Sequence, residues 1–281
     1  MIYRLFLRFI LYINTLISRF RLPRSSAVAK IICAAHTDKG ARRENQDSIY
    51  LVQWDTNSFF GVIADGMGSS KHGKLAAKLC TSHYKQIFRT RKEFQNWLKK
   101  EGFNNTDASF PLRKMASDVN QKIYETNTPG QITGTTCTAV LIMGSSVWYV
   151  HCGDSRLYCV RDKSIKQITT DHSWVQETLV KPGLLSNEEA KHHSAKNLIT
   201  NFLGIGSQLV DIDVSGFQIS NGDILLLCTD GLSNILDDAT LQEISTNNSP
   251  AIACRKLVKS AKHNAGKRAD NISAIVIRYS E

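Results

Sequence analysis

The stretch Gly61-Val62-Ile63-Ala64-Asp65-Gly66-Met67-Gly68 limits what this chain can become more than any other. An apolar run suited to a buried strand stops at a carboxylate, and the glycines flanking Met67 allow a tight turn. A lone Asp-Gly is ordinary turn material. Here the pattern recurs. Residues 147–152 run into Gly153-Asp154, and 224–228 run into Thr229-Asp230-Gly231. Asp270-Asn271 stands just before the apolar run 272–279, and Asn45-Gln46-Asp47 opens the run 47–52. Five aspartates at the ends of buried-looking strands cost too much to leave uncompensated, which implies a shared cation.

Oxygen-only ligands point to magnesium or manganese. Two such ions about 4 Å apart can share a bridging water, lower its pKa and hold it for in-line attack on phosphorus. Arg42, just upstream of Asn45–Asp47, suits a forked grip on phosphate oxygens. A soft-metal site is disfavoured. The seven cysteines, at 33, 80, 137, 152, 159, 228 and 254, form no CxxC pair, and the eight histidines lack ligand spacing. Scattered cysteines inside apolar runs read as reduced core residues in a reducing compartment.

The element order predicts an α+β layered domain. Short strands are expected at 31–35, 47–52 and 59–64. Helices follow at 71–89, marked by Leu75, Leu79, Tyr84, Ile87 and Phe88, at 94–100, and around Met115, Val119 and Ile123. Strands at 135–143, 147–152, 155–161 and 164–168 are joined by hairpin-turn residues, hence antiparallel. A mixed region spans 171–206. Strands at 211–217 and 223–228, helices at 239–244 and 250–263, and a strand at 272–279 complete the chain. Strand runs separated by helix runs argue against alternating βαβ units.

The N-terminus differs from the rest. In residues 2–20, Arg4, Arg8, Tyr12, Thr15 and Arg19 share one helix face, and Leu5, Phe6, Phe9, Ile10, Ile13, Leu16, Ile17 and Phe20 the other. The ten residues between Arg8 and Arg19 are too few to cross about 30 Å of hydrocarbon. A basic amphipathic helix in a membrane interface fits, as does a helix packed on the protein or a partner. Residues 1–28 are expected to form this segment and its linker, and 29–281 the folded domain. Six cations and no acid in residues 1–37 supply most of the formal net charge of +10. The basic balance therefore does not indicate a nucleic-acid partner.

Taken together, Arg42-Arg43-Glu44-Asn45-Gln46-Asp47-Ser48, Asp65-Gly66-Met67-Gly68, Gly134-Thr135-Thr136, Gly153-Asp154-Ser155-Arg156, Thr170-Asp171-His172-Ser173, Asp230-Gly231-Leu232 and Asp270-Asn271 carry a family pattern. In that order they resemble metal-dependent protein phosphatases of the PP2C type (the PPM family), most closely the bacterial Ser/Thr branch. The resemblance covers about residues 31–279. It implies an α-β-β-α sandwich: two antiparallel sheets flanked by helix pairs, with metals at one edge between the sheets. It implies a protein serine/threonine phosphatase using two Mn²⁺ or Mg²⁺ ions, with a position for a third. Asp65 would bridge the two ions, with Asp230 and Asp270 at the first, and the Gly66 carbonyl at the second, with Asp47 acting there directly or through water. Asp154 matches the third, weaker position, Arg42 would bind phosphate, and Asn271 would orient Asp270. Implied partners are phosphoserine and phosphothreonine proteins, either a cognate Ser/Thr kinase or its substrates. The implied setting is the cytoplasm, with peripheral membrane contact through residues 1–20.

The chain departs from the family pattern in places. Ser69 replaces a usual Gly, and Lys74 a common acid. Met67 stands where eukaryotic members carry a His, so no general acid is assigned. In the flap expected near 171–205, Asn201 ends a stretch where an Arg is usual, which bears on substrate choice. Gly153-Asp154-Ser155 also looks like an esterase nucleophile motif, but the last fifty residues lack the required Asp-x-x-His pair. A competing reading is a catalytically silent, membrane-tethered phosphoprotein-binding adaptor. Such proteins usually lose a ligand, and here every expected ligand is present.

Overall fold

The structure is a computed structural model that describes residues 30–68, 70–103, 107–128, 133–206 and 211–280. The amphipathic stretch 2–20 and Ser69 lie outside the described residues. Three strands come first: β1 (Lys30–Asp38), β2 (Asp47–Asp55) and β3 (Ser58–Met67). Helices α1 (Ser70–Phe88), α2 (Arg91–Lys100) and α3 (Ser109–Tyr124) follow. The middle of the chain is β4 (Gly134–Thr135), β5 (Cys137–Met143), β6 (Ser146–Cys152), β7 (Arg156–Arg161) and β8 (Ser164–Gln167). After a flap holding a π-helical turn (Gln176–Val180) and α4 (Asn187–Ala190) come β9 (Asp213–Gln218) and β10 (Ile224–Cys228). Helices α5 (Asp230–Ser233), α6 (Asp238–Asn247) and α7 (Pro250–Ala265), then β11 (Ile272–Ser280), close the fold.

The strands form two sheets, ordered β1-β11-β10-β7-β8 and β2-β3-β5-β6-β9, with β4 paired to the end of β3. Every pairing is antiparallel. The sheets face each other, because their inner side chains form one cluster that includes Phe59, Ile63, Leu225, Leu227, Ile275 and Ile277. Alternate residues of the same strands point outward. Phe60, Val62 and Ala64 pack with α1 and α3, whereas Leu226, Ala274 and Val276 pack with α7. Both faces of these strands are therefore covered, which is why they read as unbroken apolar runs.

Three local expectations change. Strands β6 and β7 do not form a hairpin: β6 pairs with β5 and β9, whereas β7 crosses to the other sheet and pairs with β10 and β8. Leu75 is 45 % exposed, and the inward face of α1 is Ala76, Ala77, Cys80 and Tyr84. The crowding is severe where α1 begins: a Cβ on Gly66 would sit 2.0 Å from the Gly73 carbonyl oxygen. The strand expected over 135–143 breaks at Thr136, which leaves the ladder to bond Asp65: Asp65 N–H donates to Thr136 Oγ1 at 2.9 Å, and Thr136 N–H to the Asp65 carbonyl at 2.9 Å.

Candidate active site

Antiparallel pairing brings one end of β2, β3, β6, β10 and β11 to a single edge of the sandwich. Asp47 opens β2 and stands directly opposite Asp65 near the end of β3. Asp154 follows β6, Asp230 follows β10, and Asp270 precedes β11. Like charges directly opposite each other destabilise a sheet, so the Asp47–Asp65 register needs compensation.

Hydroxyls from the other sheet fix Asp47. Thr229 Oγ1 and Ser273 Oγ donate to its Oδ2 at 2.9 and 2.7 Å, while its Oδ1 is buried without a hydrogen-bond partner among the described residues. Asp65 and Asp230 lie within hydrogen-bond reach of each other, and Asn234 Nδ2 donates to Asp230 Oδ2 at 3.2 Å. Asp154 is 6 % exposed, and its Oδ1 also lacks a partner among the described residues. Asp270 sits nearer the rim, where Arg42 Nη2 donates to its Oδ2 at 2.6 Å. The arginine expected to meet phosphate thus pairs here with an expected metal ligand.

Burial pushes the Asp47 carboxyl up to about 7, with neighbouring Asp230 and Asp270 adding to the rise against its two hydroxyl donors. Asp65 is raised well above the usual carboxylate range, first by burial and then by Asp47, Asp230, Asp154 and Asp270. Burial likewise raises Asp154 and Asp230, whose neighbouring acids add to the effect. Among the described residues no three such side chains already close into a coordination shell. What converges is a set of mutually repelling carboxylates with two partnerless buried oxygens. That donor set suits a hard divalent cation, which would offset both the desolvation and the repulsion.

Close backbone approach assembles this edge. Gly40, at φ +62°, lies so near the Asp270 carbonyl oxygen that a Cβ would stand 1.9 Å from it. Asn271, 4 % exposed, ties the loops together. Its Nδ2 donates to the Lys39 and Glu44 carbonyls, and its Oδ1 accepts from Gln46 N–H. Its own N–H donates to Asp270 Oδ1 at 2.8 Å. Lys74 lies 3.6 Å from Glu44, so this departure from the usual acid is absorbed by a local ion pair.

Several supporting groups escaped the sequence reading. Ser155 is buried, and its Oγ shares a 2.7 Å hydrogen bond with Thr136 Oγ1, so it braces the Asp65 turn and is no nucleophile. His172 pins the base of the flap: its N–H donates to the Gly153 carbonyl, and its Nδ1 lies 3.2 Å from Gly153 N and 3.0 Å from Asn201 Nδ2. Asn201 is thus buried in a latch beside Asp154. The hydroxyls of Thr229 and Ser273 had only strand alternation as a signal, which marks packing residues equally well. A cavity of about 480 Å³ opens between the flap and α5–α6, lined by Asp171, Gln176, Lys191, Asn234 and Asp238 among others. It adjoins the carboxylate edge through Asn234.

A family model for protein phosphatase 2C matches residues 34–260. The chain is 31 % identical over 252 residues to the serine/threonine phosphatase stp of Listeria monocytogenes serovar 1/2a, covering 86 % of this chain and 93 % of the relative. It is 28 % identical over 257 residues to protein phosphatase PhpP of Streptococcus pneumoniae serotype 2, covering 87 % and 96 %. The catalytic domain of the serine/threonine protein phosphatase PstP, in complex with two manganese ions, superposes with a TM-score of 0.73 at 29 % identity, covering 90 % of this chain and all of that one.

Proposed function

Because the chain belongs to the protein phosphatase 2C family, we propose that its carboxylate edge is the catalytic centre of a protein serine/threonine phosphatase dependent on Mn²⁺ or Mg²⁺. The observation that carries this assignment is the convergence of four aspartates, Asp154 buried and Asp47, Asp65 and Asp230 half-buried, whose carboxyls desolvation and mutual repulsion raise. Bound divalent ions would supply the missing positive charge and a water of lowered pKa for in-line attack on phosphorus.

The roles of the chain's own residues follow from their positions. Asp65 would be the ligand shared by two ions, a role supported by its place opposite Asp47 and within reach of Asp230. Asp230 and Asp270 would hold one ion, and the Gly66 carbonyl and Asp47, directly or through water, the other, with the Thr229 and Ser273 hydroxyls fixing Asp47. Asp154 serves a third position. Arg42 exchanges Asp270 for the phosphate oxygens of phosphoserine or phosphothreonine, a planar fork matched to that group.

The substrates we assign are phosphoproteins of a cognate Ser/Thr kinase in the cytoplasm. Residues 29–281 form the phosphatase domain, and 1–28 a basic segment for peripheral membrane contact. Among the described residues no helix is long and apolar enough to cross a membrane. The deciding experiment is Mn²⁺-dependent hydrolysis of a phosphothreonine peptide, lost in Asp230→Ala. No turnover with either metal by folded protein would favour the silent adaptor instead. Liposome flotation with and without residues 1–28 tests the membrane contact, and equal flotation would reject it.

A further inference from the structure

We propose that the two loops flanking Arg42 form a basic rim that selects phosphopeptides with acidic residues near the phosphorylated side chain. This proposal rests on the phosphatase assignment and names the substrate class of the same site. The first loop, residues 39–44, carries Lys39, Arg42 and Arg43, and the second, 266–270, carries Lys267 and Arg268; all five are exposed. The loops are joined rigidly. Ala41 N–H donates to the Ala269 carbonyl at 2.9 Å, Asn271 Nδ2 holds the Lys39 and Glu44 carbonyls, and Gly40 packs against Asp270. Such a surface needs little ordering when it binds.

Its charge is largely uncancelled. The acids of the rim are already engaged: Asp38 with Lys262, Glu44 with Lys74 and Asp270 with Arg42. Lys39, Arg43, Lys267 and Arg268 form no ion pair among the described residues. Arg42, which we assign to phosphate, belongs to the first loop and reaches Asp270 of the second. An extended peptide advances about 3.3 Å per residue, so side chains two to four positions from the phosphoresidue lie roughly 7–13 Å away, within reach of these long cations. None of the large exposed apolar side chains of the described residues falls in 36–46 or 262–270. The rim therefore lacks the apolar groups that would seat it in a bilayer, which favours an acidic peptide over a lipid surface.

The test uses the full chain with Mn²⁺ and two phosphothreonine peptides that differ only in carrying Glu or Lys at positions two to four from the phosphoresidue. The acidic peptide should show about tenfold higher kcat/KM at low salt, mostly through KM, and the gap should narrow at high salt as screening sets in. Lys267→Glu with Arg268→Glu, and separately Lys39→Glu with Arg43→Glu, should each erase the preference and leave turnover of p-nitrophenyl phosphate unchanged. Equal kcat/KM for both peptides, or a preference that survives both variants, would overturn the proposal. So would loss of binding to phosphatidylserine vesicles in these variants with no peptide preference, which would assign the rim to lipid. No turnover of either peptide or of p-nitrophenyl phosphate would instead overturn the phosphatase assignment, and the rim's role with it.

Discussion

Strand β10 has a carboxylate beyond each end, Asp223 buried and Asp230 half-buried, and the two are treated differently. Before its first residue, Asp223 is 1 % exposed and accepts from Arg161 Nε at 3.0 Å and from Ser220 N–H at 2.7 Å. After its last residue, Asp230 meets Asp65 and Asp270, and burial outweighs its few donors. The same contrast separates Asp171 from Asp154. Arg156 forks onto Asp171 with Nε at 2.9 Å and Nη2 at 2.7 Å, whereas Asp154 keeps a partnerless oxygen. The chain thus has the means to neutralise a buried acid internally and uses it at Asp171 and Asp223. At the carboxylate edge Asp47, Asp65, Asp154 and Asp230 form no ion pair with an arginine among the described residues. The acids clamped by Arg156 and Arg161 belong to the framework, and Asp47, Asp65, Asp154 and Asp230, which we assign as ligands, have no such clamp; Asp270 holds Arg42, which we assign to phosphate.

The strongest attack on this contrast is Asp65→Asn. Turnover should fall a thousandfold or more, on the order of 4 kcal/mol in the barrier, while metal-free stability holds or rises because one repelling charge is gone. Near-normal phosphatase kinetics would remove Asp65 from its central place. Next in size is Arg156→Met, which strands Asp171 in a site where the two side chains are 12 % and 15 % exposed. Loss of a buried partner costs about 3–5 kcal/mol, and manganese should not restore it. Full rescue of the melting temperature by metal would show that Arg156 belongs to the ligand edge.

A third measurement sets pH against metal. Asp47 is raised in the folded state to about 7 from an ordinary value of 3.8, so its folded form holds the proton more tightly. The stability this contributes is complete below about pH 4 and is lost as pH rises through 7. Metal-free protein should therefore melt at lower temperature at pH 8 than at pH 5, and saturating Mn²⁺ should raise the pH 8 value more. At a hundred times its dissociation constant a ligand adds about 2.7 kcal/mol. An identical manganese shift at both pH values would contradict the scheme. The smallest expected effect is Asp154→Asn, roughly a tenfold loss in activity, or about 1.4 kcal/mol. Calorimetry should still find two ions bound, and loss of both would mean Asp154 belongs to the central pair.

The acids of this edge were legible because each interrupts an apolar run beside Gly or Asn, and a carboxylate in that place needs a reason. The sheets were legible for a related cause: strands covered on both faces must be apolar throughout, and the turns between them are marked by Gly, Ser and Asp. Leu75 misled because helical spacing gives a period, and the partner surface selects the face. Here small residues were needed against the crowded start of α1. The supports of the site were hidden for the same reason. Thr229, Ser273 and Asn234 look like ordinary strand and turn residues until the two sheets bring them against Asp47 and Asp230. The sequence by itself determined which carboxylates stand at strand ends and that they need a cation. Only the tertiary structure decided which oxygens meet, which acids receive an arginine and which loops form the basic rim, because these depend on pairings across long separations that no local pattern encodes.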